Sequence, residues 1–118
     1  MNLTVVRGRL SRPASIRELP SGTRLASLDV TADRRVEGEP ADSVPVVWRD
    51  PPASAESLDT DDDVVVIGRV RRRFFRSGGA TQSRTEVEAD TVLRPRQRAR
   101  VQRAVSEAGA LLEDLLAG

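Results

Sequence analysis

Between Leu3 and Leu10 the chain alternates: Val6, Gly8 and Leu10 share one face while Val5, Arg7 and Arg9 share the other, the period of a half-buried β-strand. Gly8 inside this run predicts a bulge or a bend. Ser11 to Gly22 holds Pro13, Pro20 and a Ser21-Gly22 turn signal, and reads as a connection with little regular structure. From Thr23 to Thr31 the alternation returns, Leu25, Ser27 and Asp29 opposing Ala26, Leu28 and Val30 in a second strand. The polar stretch 32–42, with Gly38 and Pro40, has the composition of an exposed hairpin tip. Ser43 to Arg49 forms a short third strand, in which Pro45 belongs at an edge or a break in the ladder because it lacks a backbone donor.

Asp50 to Leu58 offers an N-cap candidate, then Pro51 and Pro52, then good helix formers, and predicts one or two turns of helix. The acidic loop Asp59 to Asp63 leads into the longest strand signal, Val64 to Phe75, β-branched at its start and with Gly68 near its middle. Arg76-Ser77-Gly78-Gly79 reads as a hairpin turn. Thr81 to Leu93 then alternates Thr85, Val87, Ala89 and Thr91 with Glu86, Glu88 and Asp90 as a fifth strand, ended by Pro95. From Arg96 the period becomes helical, Val101, Ala104, Val105, Ala108, Leu111, Leu112 and Leu115 recurring at steps of three and four, interrupted once by Gly109. The predicted fold class is all-β with a C-terminal helix. The order β-β-β-α-β-β, with a short helix between strands 3 and 4, is that of a five-stranded OB-fold Greek-key barrel.

A length of 118 residues suits one domain, read as an OB-fold unit over 1–94 followed by an amphipathic helix over 95–118. Trp48, Phe74 and Phe75 are the only aromatic residues, so the core has to be built from Val, Leu, Ile and Ala. With no Cys and no His, disulfides, thiolate and imidazole chemistry and zinc sites built on S or N ligands are excluded. The Asp59 to Asp63 run lacks the Gly and terminal Glu of a calcium loop, and reads as a solvated acidic loop instead of a metal site. No nucleophile elbow, no phosphate loop and no base to activate a serine is present, so neither an enzyme nor a cofactor is expected. No apolar run reaches the roughly 18 residues of a membrane span, and Met1 to Val5 does not begin a secretory signal; a cytoplasmic protein is expected.

A formal net charge of +1 conceals strong segregation. Residues 1–28 carry five Arg against one acid, 29–63 three Arg against eleven acids, 69–103 eleven Arg against three acids, and the last fifteen residues three acids alone. All 19 basic residues are Arg, which suits bidentate phosphate contacts and stacking on bases, although a G and C bias of the source genome explains the same count.

Taken in order, Gly8-Arg9-Leu10-Ser11-Arg12-Pro13, Arg17, Pro20-Ser21-Gly22-Thr23, Ala26-Ser27-Leu28, Val46-Val47-Trp48, Ala55-Glu56-Ser57-Leu58, Gly68-Arg69-Val70-Arg71 and Thr85-Glu86-Val87 resemble the bacterial single-stranded DNA-binding family over roughly residues 1 to 94. The resemblance implies non-catalytic binding of single-stranded DNA in replication, repair or recombination. It also implies a homo-oligomer, dimer or tetramer. By the same resemblance Trp48 and Phe75 match base-stacking positions, while Arg69, Arg71, Arg73 and Arg76 would follow the phosphate backbone. Three departures point to a diverged paralogue. The tip at 32–42 lacks an aromatic residue, Asp59 to Asp63 replaces a basic residue and Gly, and the helix from Arg96 stands where the family has a flexible acidic tail.

Other readings of the same residues stay open. The Arg69 to Arg76 cluster fits either phosphate contacts or a cross-strand salt lattice with Glu86, Glu88 and Asp90. Trp48 fits a core position as well as a stacking one. If strand 4 is regular, Phe74 and Phe75 face opposite ways, and Phe75 is expected to be the exposed ring. The final helix is a lid on the barrel, a seam between subunits or a docking element for a protein partner. The alternative function is an OB-fold interaction or structural module that has lost DNA binding.

Overall fold

The computed structural model describes residues 1–117. Six strands, β1 (Thr4–Leu10), β2 (Ser15–Glu18), β3 (Arg24–Ala32), β4 (Ser43–Arg49), β5 (Asp63–Ser77) and β6 (Ala80–Leu93), are followed by one α-helix, α1 (Arg98–Ala117). They form a single sheet in the order β1-β5-β6-β4-β3-β2. A further antiparallel pairing of Gly8, Arg9 and Leu10 with Ala32, Thr31 and Val30 links β1 back to β3, so the ladder returns on itself. Only β4 and β6 run parallel, matching Val46, Val47 and Trp48 to Val87, Glu88 and Ala89.

The five expected strands are all present, and two local expectations are corrected. The segment 11–22 is not irregular: Ser15 to Glu18 pairs antiparallel with Ser27 to Arg24, giving the sheet an extra short edge strand. Four residues bounded by turns and prolines are too few for alternation to show, and the pairing is supplied by β3. The short helix expected between strands 3 and 4 is a five-residue 3-10 turn, Ala53–Ser57, so among the described residues the α-helix is the C-terminal one alone. Pro51 and Pro52 remove two amide donors, and the Ala55 and Leu58 amides donate back three residues to Pro52 and Ala55.

The core is aliphatic. Leu10, Leu28, Val30, Val46, Val64 and Val66 are its largest fully buried side chains, drawn from the alternating pattern on β1, β3 and β4 and from the apolar start of β5. Beyond Gly68 the β5 sequence turns to Arg and Phe and the strand leaves the core, so that β5 and β6 project as a long hairpin arm with exposed residues. The arm's root is marked by a bulge: Ile67 pairs with Thr91 but Gly68 with Ala89, leaving Asp90 over. Gly8 shows no break in register; it pairs with Val64 of β5 on one side and Ala32 of β3 on the other, with the Thr31 and Ala32 backbone packed against it.

The acidic loop is tied down. The Asp62 carboxylate accepts the Asp59 amide at 2.8 Å and lies 3.2 Å from the Arg94 guanidinium. The amide bond, then the Arg94 charge, hold its pKa below the ordinary carboxylate value against the cost of burial.

Candidate functional site

The outer face of the sheet carries a groove of about 730 Å³. Its floor is β3 and β4, one wall is β2, and the other is the base of the hairpin arm. Six Arg line it, Arg12, Arg17, Arg49, Arg71, Arg73 and Arg84, against Asp29, Glu86 and Glu88, so the groove is net positive. None of Asp59 to Asp63 reaches it.

On the arm, pairing of Arg69 with Glu88, Arg71 with Glu86, Arg73 with Arg84 and Phe75 with Gln82 sets these residues on one face. Glu88, 16% exposed, is the hub: Arg71 contacts it at 2.6 Å, Arg69 at 3.5 Å and Arg49 from β4 at 3.8 Å. Glu86, 5% exposed, is held by Arg73 at 2.9 Å, and its other carboxylate oxygen is buried without a partner. Arg69, Arg71 and Arg73 are therefore ion-paired within the chain, as a cross-strand lattice requires. Arg17 and Arg84 have no ion pair among the described residues. Arg84 also sits directly across from Arg73, and like charges opposite one another on a sheet repel unless an anion lies near.

The hydrogen bond from Arg71, followed by the charges of Arg71 and Arg69, lowers the Glu88 pKa below its ordinary value of 4.5. A depressed carboxylate pKa contributes stability that is present above the unfolded value and lost as pH falls through the folded one. Glu88→Gln is thus expected to lower stability at neutral pH and to flatten the fall below about pH 4.5. Urea midpoints measured across that interval check this; equal slopes for variant and parent would count against the lattice.

Arg76 falls on the opposite arm face with Arg72 and Phe74, and donates to the Gly79 carbonyl at 3.2 Å. The two rings also differ from expectation: Phe74 is the exposed one at 66%, while Phe75 is half-buried with the Arg73 guanidinium 5.5 Å from its centroid. Arg72 stands at the same 5.5 Å over Phe74. Strand alternation separates the two rings correctly but carries no information on which face the groove wall covers. Trp48 is a core residue, 9% exposed and clustered with Leu58, Val87 and Val92. Its edge meets a separate pocket of about 260 Å³ near Arg94 and Arg96, away from the groove.

The structure thus brings Arg71 and Arg73 into the groove, sets Arg69 and Phe75 on the same arm face, and keeps Arg76 and Trp48 apart. Arg12, Arg17, Arg49 and Arg84 are groove residues that sequence reasoning missed. Arg12 and Arg17 lie in a segment whose local sequence signals only turns, and Arg49 and Arg84 are brought together only by the pairing of β4 with β6. Among the described residues no group of acidic side chains is placed to hold a metal, and no helix is long and apolar enough to cross a membrane.

No family model and no curated protein sequence matches the chain. Solved structures do. The single-stranded DNA-binding protein from Thermus aquaticus superposes with a TM-score of 0.65 at 26% identity over 80% of this chain. A deletion mutant of the same protein gives 0.66, again at 26% identity over 80%. The chain spans only 40% and 41% of the length of those two chains. Sheet order, groove and superposition agree: the chain carries an OB fold like that of the single-stranded DNA-binding proteins.

Proposed function

We propose that the chain binds single-stranded DNA without catalysing a reaction, in the cytoplasm, as part of replication, repair or recombination. The observation that carries this is the Arg-lined groove on the face of β3 and β4 between β2 and the hairpin arm. In a Greek-key OB barrel that face, with the loops after the first and fourth barrel strands, is where oligonucleotides dock. Here β2 stands in the first of those loops and the arm forms the second. The likeness to a single-stranded DNA-binding protein supports the choice of polymer.

In this reading Arg71, Arg73 and the unpaired Arg17 and Arg84 hold phosphates inside the groove, Arg69 extends the path along the same arm face, and a strand that crosses over the arm meets Arg76 and Phe74 on its other face. Phe75 and the more exposed Phe74 stack bases. Trp48, 9% exposed, presents too little ring face for a base and supports the groove from the core. A phosphate entering beside Arg71 takes over part of a charge that Glu88 now neutralises, so the net gain there is smaller than at Arg84.

Anisotropy of a labelled oligo-dT, titrated with the chain at low and moderate salt, tests the reading. Log K is expected to fall with log salt by about 0.7 for each phosphate held. Phe74→Ala is expected to weaken binding about tenfold, the loss of one stacked base being worth roughly 1–3 kcal/mol. Unchanged affinity in that variant would remove Phe74 from the site.

The salt lattice favours one second reading, an OB-fold interaction or structural module whose arginines serve its own carboxylates. Absence of oligo-dT binding even at low salt would establish it over the first.

A further inference from the structure

Three carboxylates line the groove, and they are not equally engaged. Arg12 holds Asp29 at 2.7 Å. Arg71 and Arg69 meet Glu88 through Oε2, and Arg49 lies 3.8 Å from its Oε1. In Glu86, 5% exposed, Arg73 holds Oε1 at 2.9 Å, while Oε2 is the one buried side-chain polar atom among the described residues that lacks a hydrogen-bond partner. Such an oxygen forgoes the hydrogen bonds it would make in water, and a donor brought by a ligand recovers them. In a DNA strand that donor has to be a base, because the phosphodiester and the deoxyribose within the strand offer acceptors only.

The neighbours of Glu86 select among the bases. Arg73 and Arg84, paired across the arm on the same face, add guanidinium donors beside the free acceptor, and Arg84 has no ion pair among the described residues. An acceptor followed by donors is the complement of the cytosine edge, an N4 amino group followed by the N3 and O2 acceptors. Thymine in the same orientation turns its O4 acceptor toward Oε2, guanine turns its O6, and adenine has one acceptor fewer. We propose that Glu86 gives the groove a preference for cytosine, its Oε2 accepting from N4 while Arg73 or Arg84 donates to N3 and O2. This rests on the single-strand binding proposed above. The Arg71 and Arg73 guanidiniums beside Glu86 are half exposed, so a shift of either onto a neighbouring phosphate opens the way for a base edge.

Anisotropy titrations of labelled oligo-dC and oligo-dT of equal length, at one salt concentration and a mildly alkaline pH that keeps cytosine N3 unprotonated, test this. Oligo-dC is expected to bind about tenfold tighter. A strand in which every cytosine is replaced by pyrimidinone, cytosine without its amino group, is expected to lose that advantage. Glu86→Gln keeps the Arg73 bond through its amide oxygen and sets an NH2 group in the place of Oε2, so the preference is expected to turn toward thymine, whose O4 accepts there. Loss of the negative charge strengthens binding to both polymers alike, so their ratio, and neither affinity alone, reports the reading of the base. Equal affinity of the parent for oligo-dC and oligo-dT would overturn the proposal and leave the oxygen to a bound water. A pyrimidinone strand bound as tightly as oligo-dC, or a Glu86→Gln variant with the parent's ratio, would overturn it too. Binding of neither polymer even at low salt would instead remove the single-strand function itself, and this preference with it.

Discussion

Gly8→Ala is expected to destabilise the fold by at least about 3 kcal/mol, a large share of the stability of a domain this size. A Cβ at this position would lie 2.1 Å from the Thr31 carbonyl oxygen, 2.8 Å from its carbon and 2.9 Å from the Ala32 Cα. All three are backbone atoms, so no side chain can rotate aside. β1 is also held on its other edge, where Gly8 faces Val64, and relief has to come from opening the pairing of Gly8, Arg9 and Leu10 with β3. That pairing is what returns the sheet on itself, and Leu10 and Val30, both fully buried, meet across it. Urea denaturation measures the effect. Gly109→Ala is the control: an added Cβ there meets nothing within 4 Å, and in a helix the change is expected to stabilise by up to about 1 kcal/mol. Similar midpoints for the two variants would mean that β1 can move away from β3 at little cost.

The second large effect concerns binding. Arg17→Ala combined with Arg84→Ala is expected to weaken oligo-dT binding at moderate salt by tenfold or more and to reduce the salt slope by about 0.7 for each phosphate no longer held. These two arginines line opposite walls of the groove and have no carboxylate partner among the described residues. Nothing in the chain competes with phosphate for them, and their removal leaves no buried charge behind. Arg73 is a poorer probe, because its loss strands Glu86, 5% exposed, and couples binding to folding. Removing Arg84 also relieves its repulsion with Arg73, so the double variant is expected to be no less stable than the parent. Unchanged affinity and slope would place the strand elsewhere on the surface.

The aliphatic pattern made the five long strands, the hairpin turn between the last two and α1 legible, because alternation with period two and recurrence at three and four are local consequences of which side faces water. Charge counts along the chain likewise located a basic region over 69–103, of which the Arg69 to Arg76 cluster is the part that lies on the arm. Local signals failed at β2, whose four residues become a strand only against β3, and at 53–57, where a helix propensity without room or donors yields a 3-10 turn. They also misjudged which ring is exposed, since Phe74 and Phe75 differ only in the neighbour each face meets.

What the sequence by itself determined, then, is the set of elements, the composition of the core and the chemistry that is impossible without Cys or His, because each follows from residue type and short-range spacing. The tertiary structure alone decided which arginines share the groove, which are neutralised by Glu86 and Glu88, and that Trp48 lies within the core. Arg17, Arg49 and Arg84 come from strands far apart in the chain, and their juxtaposition is set by pairing register, which a reading of local periodicity does not contain.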